Sequence, residues 1–358
     1  MEADARTGRT IAAEMKKVAV VILNWNGRGL LEEFLPSVIK YTTHPDVEIV
    51  VADNGSTDDS VVFIQDNYPL VKIILLPVNY GFAEGYNQAL KEVDTDYFVL
   101  LNSDVEVTDG WLFPIIDYLD VNKDIAAAQP KILSQRDKCY FEYAGASGGY
   151  IDRYGYPFCR GRIFQKVEED REQYDSSADV LWATGACLII RSEDFFCSGG
   201  FDGTFFAHME EIDLCWRLNC RSRRVVCLPS SVVYHVGAAT LKKESPRKTF
   251  LNFRNNLLML YKNLPQEKLK RVMIIRLILD YIAAVQFALT GKYANAKEII
   301  KAHKDFYDNR KSYRQARREN LEKRTAIEIK TIYPKSILAA YYFRTIRVFS
   351  KLQGFNQI

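Results

Sequence analysis

The chain has 358 residues, 48% of them apolar, and a formal net charge of +3 at pH 7. Length and apolar content together supply cores of domain size and exclude a disordered or fibrous chain. The near-neutral total conceals two unlike parts: from Lys242 onward 26 Lys and Arg stand against 9 Asp and Glu, and before it 22 stand against 36, giving +17 and −14.

Residues 1–17 are polar, and the apolar run at 18–23 is too short for a secretory signal, so no export signal is predicted. Met15-Lys16-Lys17, just before that run, suggests an alternative start. Residues 18–23 (VAVVIL) predict a strand, Asn24-Trp25-Asn26-Gly27 a turn, and 30–41 a helix. A second strand over 47–52 ends in Asp53-Asn54-Gly55-Ser56-Thr57-Asp58, with Ser56 and Asp59 spaced as a capping box for the next helix. Asp53 at a strand's carboxyl end can accept hydrogen bonds from a ribose hydroxyl or a base N–H, or cap a helix.

A third strand, 71–76, runs into PVNYGFAEGYN, where Gly81 and Gly85 permit close backbone approach to a ligand. The apolar run 98–101 has the length of a strand buried on both faces and puts Asn102, Ser103 and Asp104 at its carboxyl end. Strand and helix alternating in this way predict an α/β fold with a mainly parallel sheet flanked by helices. In such sheets ligands bind at the carboxyl ends of the strands.

Two nucleotide motifs are set aside. Gly27-Arg28-Gly29 begins like the dinucleotide fingerprint, but Glu32 stands where its third glycine belongs, and no phosphate loop ending in Gly-Lys-Ser/Thr is present.

The ordered set VILNWNG, DNGSTD, GFAEGYNQAL, LLNSDV, TGACLIIR and GGFDGTFFAHMEEIDLCWRL, spread from Val18 to His235, resembles glycosyltransferase family 2, in particular its rhamnosyltransferase-like branch. The resemblance implies a GT-A nucleotide-binding fold and inverting transfer from a nucleoside-diphosphate sugar of UDP or dTDP type. Trp25, Asp53, Gly81 and Asn87 would then serve the nucleotide. Trp25 alternatively closes a core or interface, and Asn87 caps a helix. Asp104 resembles the second acid of a D-x-D metal motif, with the neutral Asn102 in the first position, and His235 resembles the histidine that completes the site. The implied cofactor is a divalent cation, Mg or Mn, which favours oxygen ligands. Thr184 and Gly185 would line the sugar site.

Glu211 takes the position of the family's general base, where aspartate is usual; Glu210 or Asp213 could share the task. A helix start favours ionised carboxylates, whereas three acids in four residues raise some proton affinities. Residues 140–165, rich in Gly, Tyr and Arg, read as a functional loop or short β insertion, with Arg160 and Arg162 as phosphate ligands or surface ion pairs.

This gives a polar segment (1–17), a catalytic domain (18–241) and a basic, mainly helical C-terminal region (242–358). Within 272–289, Arg276 and Asp280 are four residues apart, so they face each other along a helix and disfavour a bilayer span. Residues 333–355 read as an interfacial amphipathic segment. The basic part predicts contact with an anionic membrane surface rather than nucleic acid, for which no recognition motif exists. Seven cysteines without a CxxC pair predict reduced thiols of the cytosol. The expected protein is a metal-assisted glycosyltransferase, cytoplasmic and peripheral at the inner face of the membrane. Its acceptor would be a glycan or a polyprenyl-diphosphate-linked sugar in surface polysaccharide synthesis. The alternatives are a noncatalytic nucleotide-sugar or glycan-binding module and a sugar-nucleotide pyrophosphorylase; the latter's Gly- and Lys-rich opening is missing.

Overall fold

The computed structural model describes residues 17–237, 245–353 and 355. Its first half alternates β1 (Val18–Asn24), α1 (Arg28–Tyr41), β2 (Val47–Asn54), α2 (Ser60–Asn67), β3 (Lys72–Leu76), α3 (Gly81–Ala89) and β4 (Tyr97–Leu101). The four strands pair in parallel in the order β3-β2-β1-β4. Alternate residues of β1 enter opposite cores: Ala19 and Val21 face one layer, Val18, Val20 and Ile22 the other. Burial on both faces explains why these strands are continuously apolar.

The chain continues through β5 (Val105–Val107), α4 (Phe113–Val121), β6 (Ile125–Ser134), β7 (Gly149–Asp152), β8 (Pro157–Cys159), β9 (Arg162–Ile163), β10 (Lys166–Val167), β11 (Ala178–Val180), β12 (Cys187–Arg191), α5 (Ser192–Cys197), α6 (Glu210–Cys220) and β13 (Arg224–His235). Beyond β4 the sheet becomes mixed. β12 runs antiparallel to β4 and β6, β13 parallel to β6, and β5 and β11 antiparallel to β13. The sheet is thus continuously parallel only across its first four strands, with β13 and β6 as one further parallel pair. The Gly- and Tyr-rich insertion forms β7 to β9 of a second sheet.

The basic part supplies α7 (Pro246–Asn263), α8 (Gln266–Leu289), α9 (Tyr293–Asn309), α10 (Arg314–Glu322), β14 (Ile332–Tyr333) and α11 (Ile337–Tyr342). Of the expected boundary, 242–244 lie outside the described residues. α7 begins with Ser245 accepting a hydrogen bond from the Lys248 N–H and Pro246 in the first turn. α8 is long and apolar enough to cross a membrane, but its inner face carries Arg276 paired with Asp280 at 3.1 Å. Tyr156 Oη donates to Asp280 at 3.0 Å, and His303 Nε2 lies 3.0 Å from it. The pair faces inward as the four-residue spacing predicts, and it fastens one side of α8 to the protein.

Residues 333–355 are not the interfacial segment that their composition predicts. β14 adds to β7, and the Ile337 N–H donates to Asp152 at 2.9 Å. Phe349 and Phe355 pack on Tyr150 with ring centres 5.3 and 4.8 Å away, and Tyr333 packs on Phe158 at 5.9 Å. Burying these rings against the second sheet removes more apolar surface from water than an exposed helix would.

Candidate active site

The carboxyl ends of β1 and β2 meet in one polar cluster. Asn24 lies opposite Asp53 in the sheet, and its amide donates to Asp53 at 3.1 Å; the Ser56 N–H donates to the other carboxylate oxygen at 2.9 Å. Asp53 is 4% exposed, and each oxygen retains capacity for a further donor. Trp25 stands beside it in the loop and is 47% exposed, which rules out the core alternative for its indole. Ser56 does not cap α2. Its Oγ accepts from the Asn26 N–H at 2.9 Å and the Asn24 amide at 3.2 Å, so it braces the first loop instead.

Several other predicted contacts are filled by the protein itself. Gly81 has φ +79°, and a Cβ there would lie 2.5 Å from the Phe206 ring. The close approach that Gly81 permits is therefore made by Phe206, whose carbonyl accepts from the Phe82 and Ala83 N–H groups at 2.7 and 3.2 Å. Asn87 neither caps a helix nor presents a free amide: it accepts from the Phe201 N–H and donates to the Phe201 carbonyl, both at 2.9 Å. It holds the segment leading to α6 against α3. Thr184 is buried, its N–H donating to Gln129 at 3.0 Å and its Oγ1 accepting from the Ala186 N–H at 3.2 Å. Gly185 faces the Phe82 ring. Trp182, buried over Gly149, closes the core.

β4 delivers Asn102 and Asp104, and the end of β13 delivers His235. The Val236 N–H donates to the Asp104 carbonyl at 3.2 Å, which fixes the two strand ends together. His235 Nε2 lies 3.1 Å from Asp104 Oδ1, and Glu142 Oε2 lies 3.5 Å from Nδ1. Burial alone would lower the imidazole pKa, but the two carboxylates outweigh it and raise it to about 10. A carboxylate and an imidazole in contact, with the neutral Asn102 two residues from Asp104, fit a hard or borderline divalent cation, which would take the place of the imidazolium proton between them. Among the described residues no group of three or more His, Cys, Asp or Glu forms a metal cage.

The third component is the start of α6. Phe206, His208 and Met209 have φ of +63°, +71° and +74°, a conformation that costs energy for residues with a Cβ. The Asn255 amide on α7 holds it by facing the carbonyls of Phe205, Ala207 and His208 at 2.9, 2.9 and 2.7 Å. The three acids that follow have separate environments. Asp213 is fully buried and ion-paired with Arg217 at 3.0 Å and Lys262 at 2.9 Å; burial would raise its pKa, but these cations and Asn263 hold it below the ordinary carboxylate value. It is a structural anion, unavailable as a base. Glu210 is raised well above its ordinary range by burial and by the Glu211 charge. Glu211 is raised to about 7, chiefly by burial.

Among the described residues, buried polar atoms that lack a hydrogen-bond partner include Asn24 Oδ1, His208 Nε2, Glu210 Oε2, Glu211 Oε2 and Arg162 Nε, besides Arg28 Nε and Trp216 Nε1. An unmatched buried polar atom costs about 1–3 kcal/mol, so such a group marks where substrate or solvent completes the structure. Arg160, expected as a phosphate ligand or a surface ion pair, is buried and donates to the Ser147 and Ser176 carbonyls, both at 2.9 Å. Arg162 is 6% exposed and stacks 4.5 Å over Tyr143, the neighbour of Glu142.

Glu142, Asn255 and Lys262 escape a reading of local motifs because their partners lie 47 to 93 residues away in sequence. Asn255 had one visible signal: it and Asn256 interrupt the apolar stripe of a helix, where asparagine is a poor helix former.

A polar strand-end cluster, an Asp–His pair and a buried carboxylate sit on a mixed sheet flanked by helices, the arrangement of the GT-A fold. Residues 19–167 match the model of Glycosyl transferase family 2, and the chain is similar to named rhamnosyltransferases. It is 28% identical over 234 residues to an N-acetylglucosaminyl-diphospho-decaprenol L-rhamnosyltransferase of Mycobacterium tuberculosis, covering 60% of this chain and 75% of the relative. It is 26% identical over 227 residues to the rhamnosyltransferase WbbL of Escherichia coli K12, covering 61% and 83%. The fold is shared with S. aureus TarS 1–349 in complex with UDP (TM-score 0.53, 16% identity, 86% of this chain and 88% of that one). It is also shared with GalNAc-T7 crystallised with UDP, GalNAc and Mn2+ (TM-score 0.55, 17% identity, 70% of this chain and 48% of that one).

Proposed function

We propose that this glycosyltransferase moves a sugar, with rhamnose the leading candidate, from a UDP or dTDP donor to a lipid-diphosphate-linked acceptor with inversion at the anomeric carbon. The observation that carries this is the placement of Asp53 and of the Asp104–His235 pair at the carboxyl edge of the sheet, together with Glu211, its pKa raised by burial, in the first turn of α6. The names of the relatives support rhamnose and the lipid-linked acceptor, and the bound UDP of TarS and GalNAc-T7 supports the donor type.

Trp25 offers stacking area to the base, and Asp53 accepts from base or ribose. Asp104 and His235, with Asn102 beside them, would hold a divalent cation, Mg or Mn. When bound, that ion neutralises the charge that develops on the departing diphosphate. Glu211, with a pKa of about 7, accepts the proton of the acceptor hydroxyl while the oxygen attacks the anomeric carbon and the bond to the diphosphate breaks. Protonation of the neighbouring Glu210 avoids two adjacent charges. The catalytic unit extends through α7, because Asn255, Lys262 and Asn263 hold the base helix. The protein works at the inner face of the membrane, where its basic part meets anionic lipid.

The test is turnover: UDP- and dTDP-sugars with Mn2+ and a polyprenyl-diphosphate-linked GlcNAc, followed by nucleotide release and by NMR of the new linkage. Release dependent on the acceptor, with inverted configuration, is expected. Retention of configuration would contradict the single displacement, and donor binding without turnover would favour a noncatalytic module.

A further inference from the structure

α8 presents two unlike faces. Inward, Val272, Arg276, Asp280 and Ala284 recur every four residues and are buried. Outward, Ile274, Ile278, Tyr281, Ile282, Val285 and Leu289 share the opposite face, with Ile278 56% and Leu289 83% exposed. At the helical rise this ridge is about 22 Å long. The charged side chains of residues 272–289, Arg276 and Asp280, both point inward, so the ridge is uncharged. Nothing among the described residues covers it.

The surroundings identify what does. Exposed Lys268, Lys270 and Arg271 outnumber exposed Glu267 in a net basic collar one turn before the ridge, and α9 beside it carries exposed Lys297, Lys301 and Lys304, with Glu298 3.5 Å from Lys301. Apolar residues rimmed by cations suit an anionic bilayer, whose acyl region takes the ridge while its phosphates meet the collar. A second copy of the chain would return the same cations, with Glu267 the one acid among the residues of ridge and collar to meet them. A span is ruled out because it would expose the Arg276–Asp280–His303 group, which the protein satisfies on one side of α8.

We propose that α8 lies in the plane of an anionic membrane with Ile274 to Leu289 embedded and Lys268, Lys270 and Arg271 on the headgroups. This deepens the membrane reading given above and rests on it: α8, not residues 333–355, is the docking element.

The test is sedimentation of the full chain with phosphatidylcholine vesicles with and without phosphatidylglycerol. Compared are the wild type, Ile278→Asp/Val285→Asp, and Lys268→Gln/Lys270→Gln/Arg271→Gln. Wild type should bind the anionic vesicles. The aspartate pair should lower partitioning by roughly tenfold or more, and the glutamine triple should lower it and flatten its salt dependence. Unchanged unfolding midpoints keep misfolding out of the comparison, since these side chains are exposed. Equal binding by the aspartate pair, or no binding by wild type, overturns the proposal. So does a wild-type dimer that the aspartate pair dissociates without any vesicle binding, which would assign the ridge to a second copy. Transfer to a detergent-dispersed polyprenyl-diphosphate acceptor is measured in parallel. Transfer without vesicle binding sinks the docking surface alone, and vesicle binding without transfer sinks the acceptor assignment alone.

Discussion

Replacing Glu211 by glutamine should stabilise the protein while abolishing transfer. Burial raises this carboxyl from 4.5 to about 7 in the folded chain, so folding favours its neutral form. The difference between the two values corresponds to about 3 kcal/mol at about 1.4 kcal/mol per unit. Below pH 4.5 the group is neutral in both states and costs nothing. Between 4.5 and 7 the unfolded chain ionises first and stability falls. Above 7 the whole cost is present. Glutamine is neutral and nearly isosteric, so the variant should gain about 3 kcal/mol at pH 8 and less than about 1 kcal/mol at pH 5. For a chain of this length the gain at pH 8 is roughly 4 °C in unfolding midpoint, at about 2 cal/mol/K of unfolding entropy per residue. Calorimetric unfolding at both pH values, beside a transfer assay, reads both effects. A glutamine variant no more stable than wild type at pH 8, or one that still transfers, would refute the assignment of a buried base.

The same pKa predicts that the wild-type kcat/KM falls about tenfold per pH unit below 7 and levels above it; a profile flat down to pH 5 would exclude Glu211. Asn255→Ala removes the amide that bonds the carbonyls of Ala207 and His208 in this strained segment and one of the donors to Phe205, at a cost of about 1–3 kcal/mol in denaturant unfolding. It should lower kcat more than donor affinity, because it loosens the base segment and not the nucleotide cradle. Lys262→Met strips a cation from buried Asp213 and from Asp202 and should destabilise by about 3–5 kcal/mol; a loss under about 1 kcal/mol would show that Arg217 and Asn263 suffice. Trp25→Ala should weaken nucleotide binding by roughly tenfold at an unchanged unfolding midpoint, the signature of an exposed stacking platform.

The strand ends were legible because a strand buried on both faces is a continuous apolar run and its first polar residue marks the edge; Asp53 and Asp104 lie where such runs stop. The four-residue spacing of Arg276 and Asp280 likewise predicted their pairing on α8. What was not legible depends on distant partners. Gly81 reads as room for a ligand, yet the Phe206 ring, 125 residues away in sequence, fills that room. Three neighbouring acids at 210–213 look alike until Lys262 and Arg217 neutralise Asp213 and leave the glutamates to burial. The aromatic residues of 333–355 have the composition of a membrane interface, but Tyr333, Phe349 and Phe355 pack on a second sheet built from residues 149–167, while Tyr342 and Phe343 stay exposed.

The central claim is a cation-assisted donor site at Asp104. Calorimetric titration with UDP and with dTDP, each with and without Mn2+, on wild type and Asp104→Ala, tests it most directly. The account predicts Mn2+-dependent binding of one of the two nucleotides that disappears in the folded Asp104→Ala variant. Binding of equal strength with and without Mn2+, or unchanged in Asp104→Ala, would contradict it.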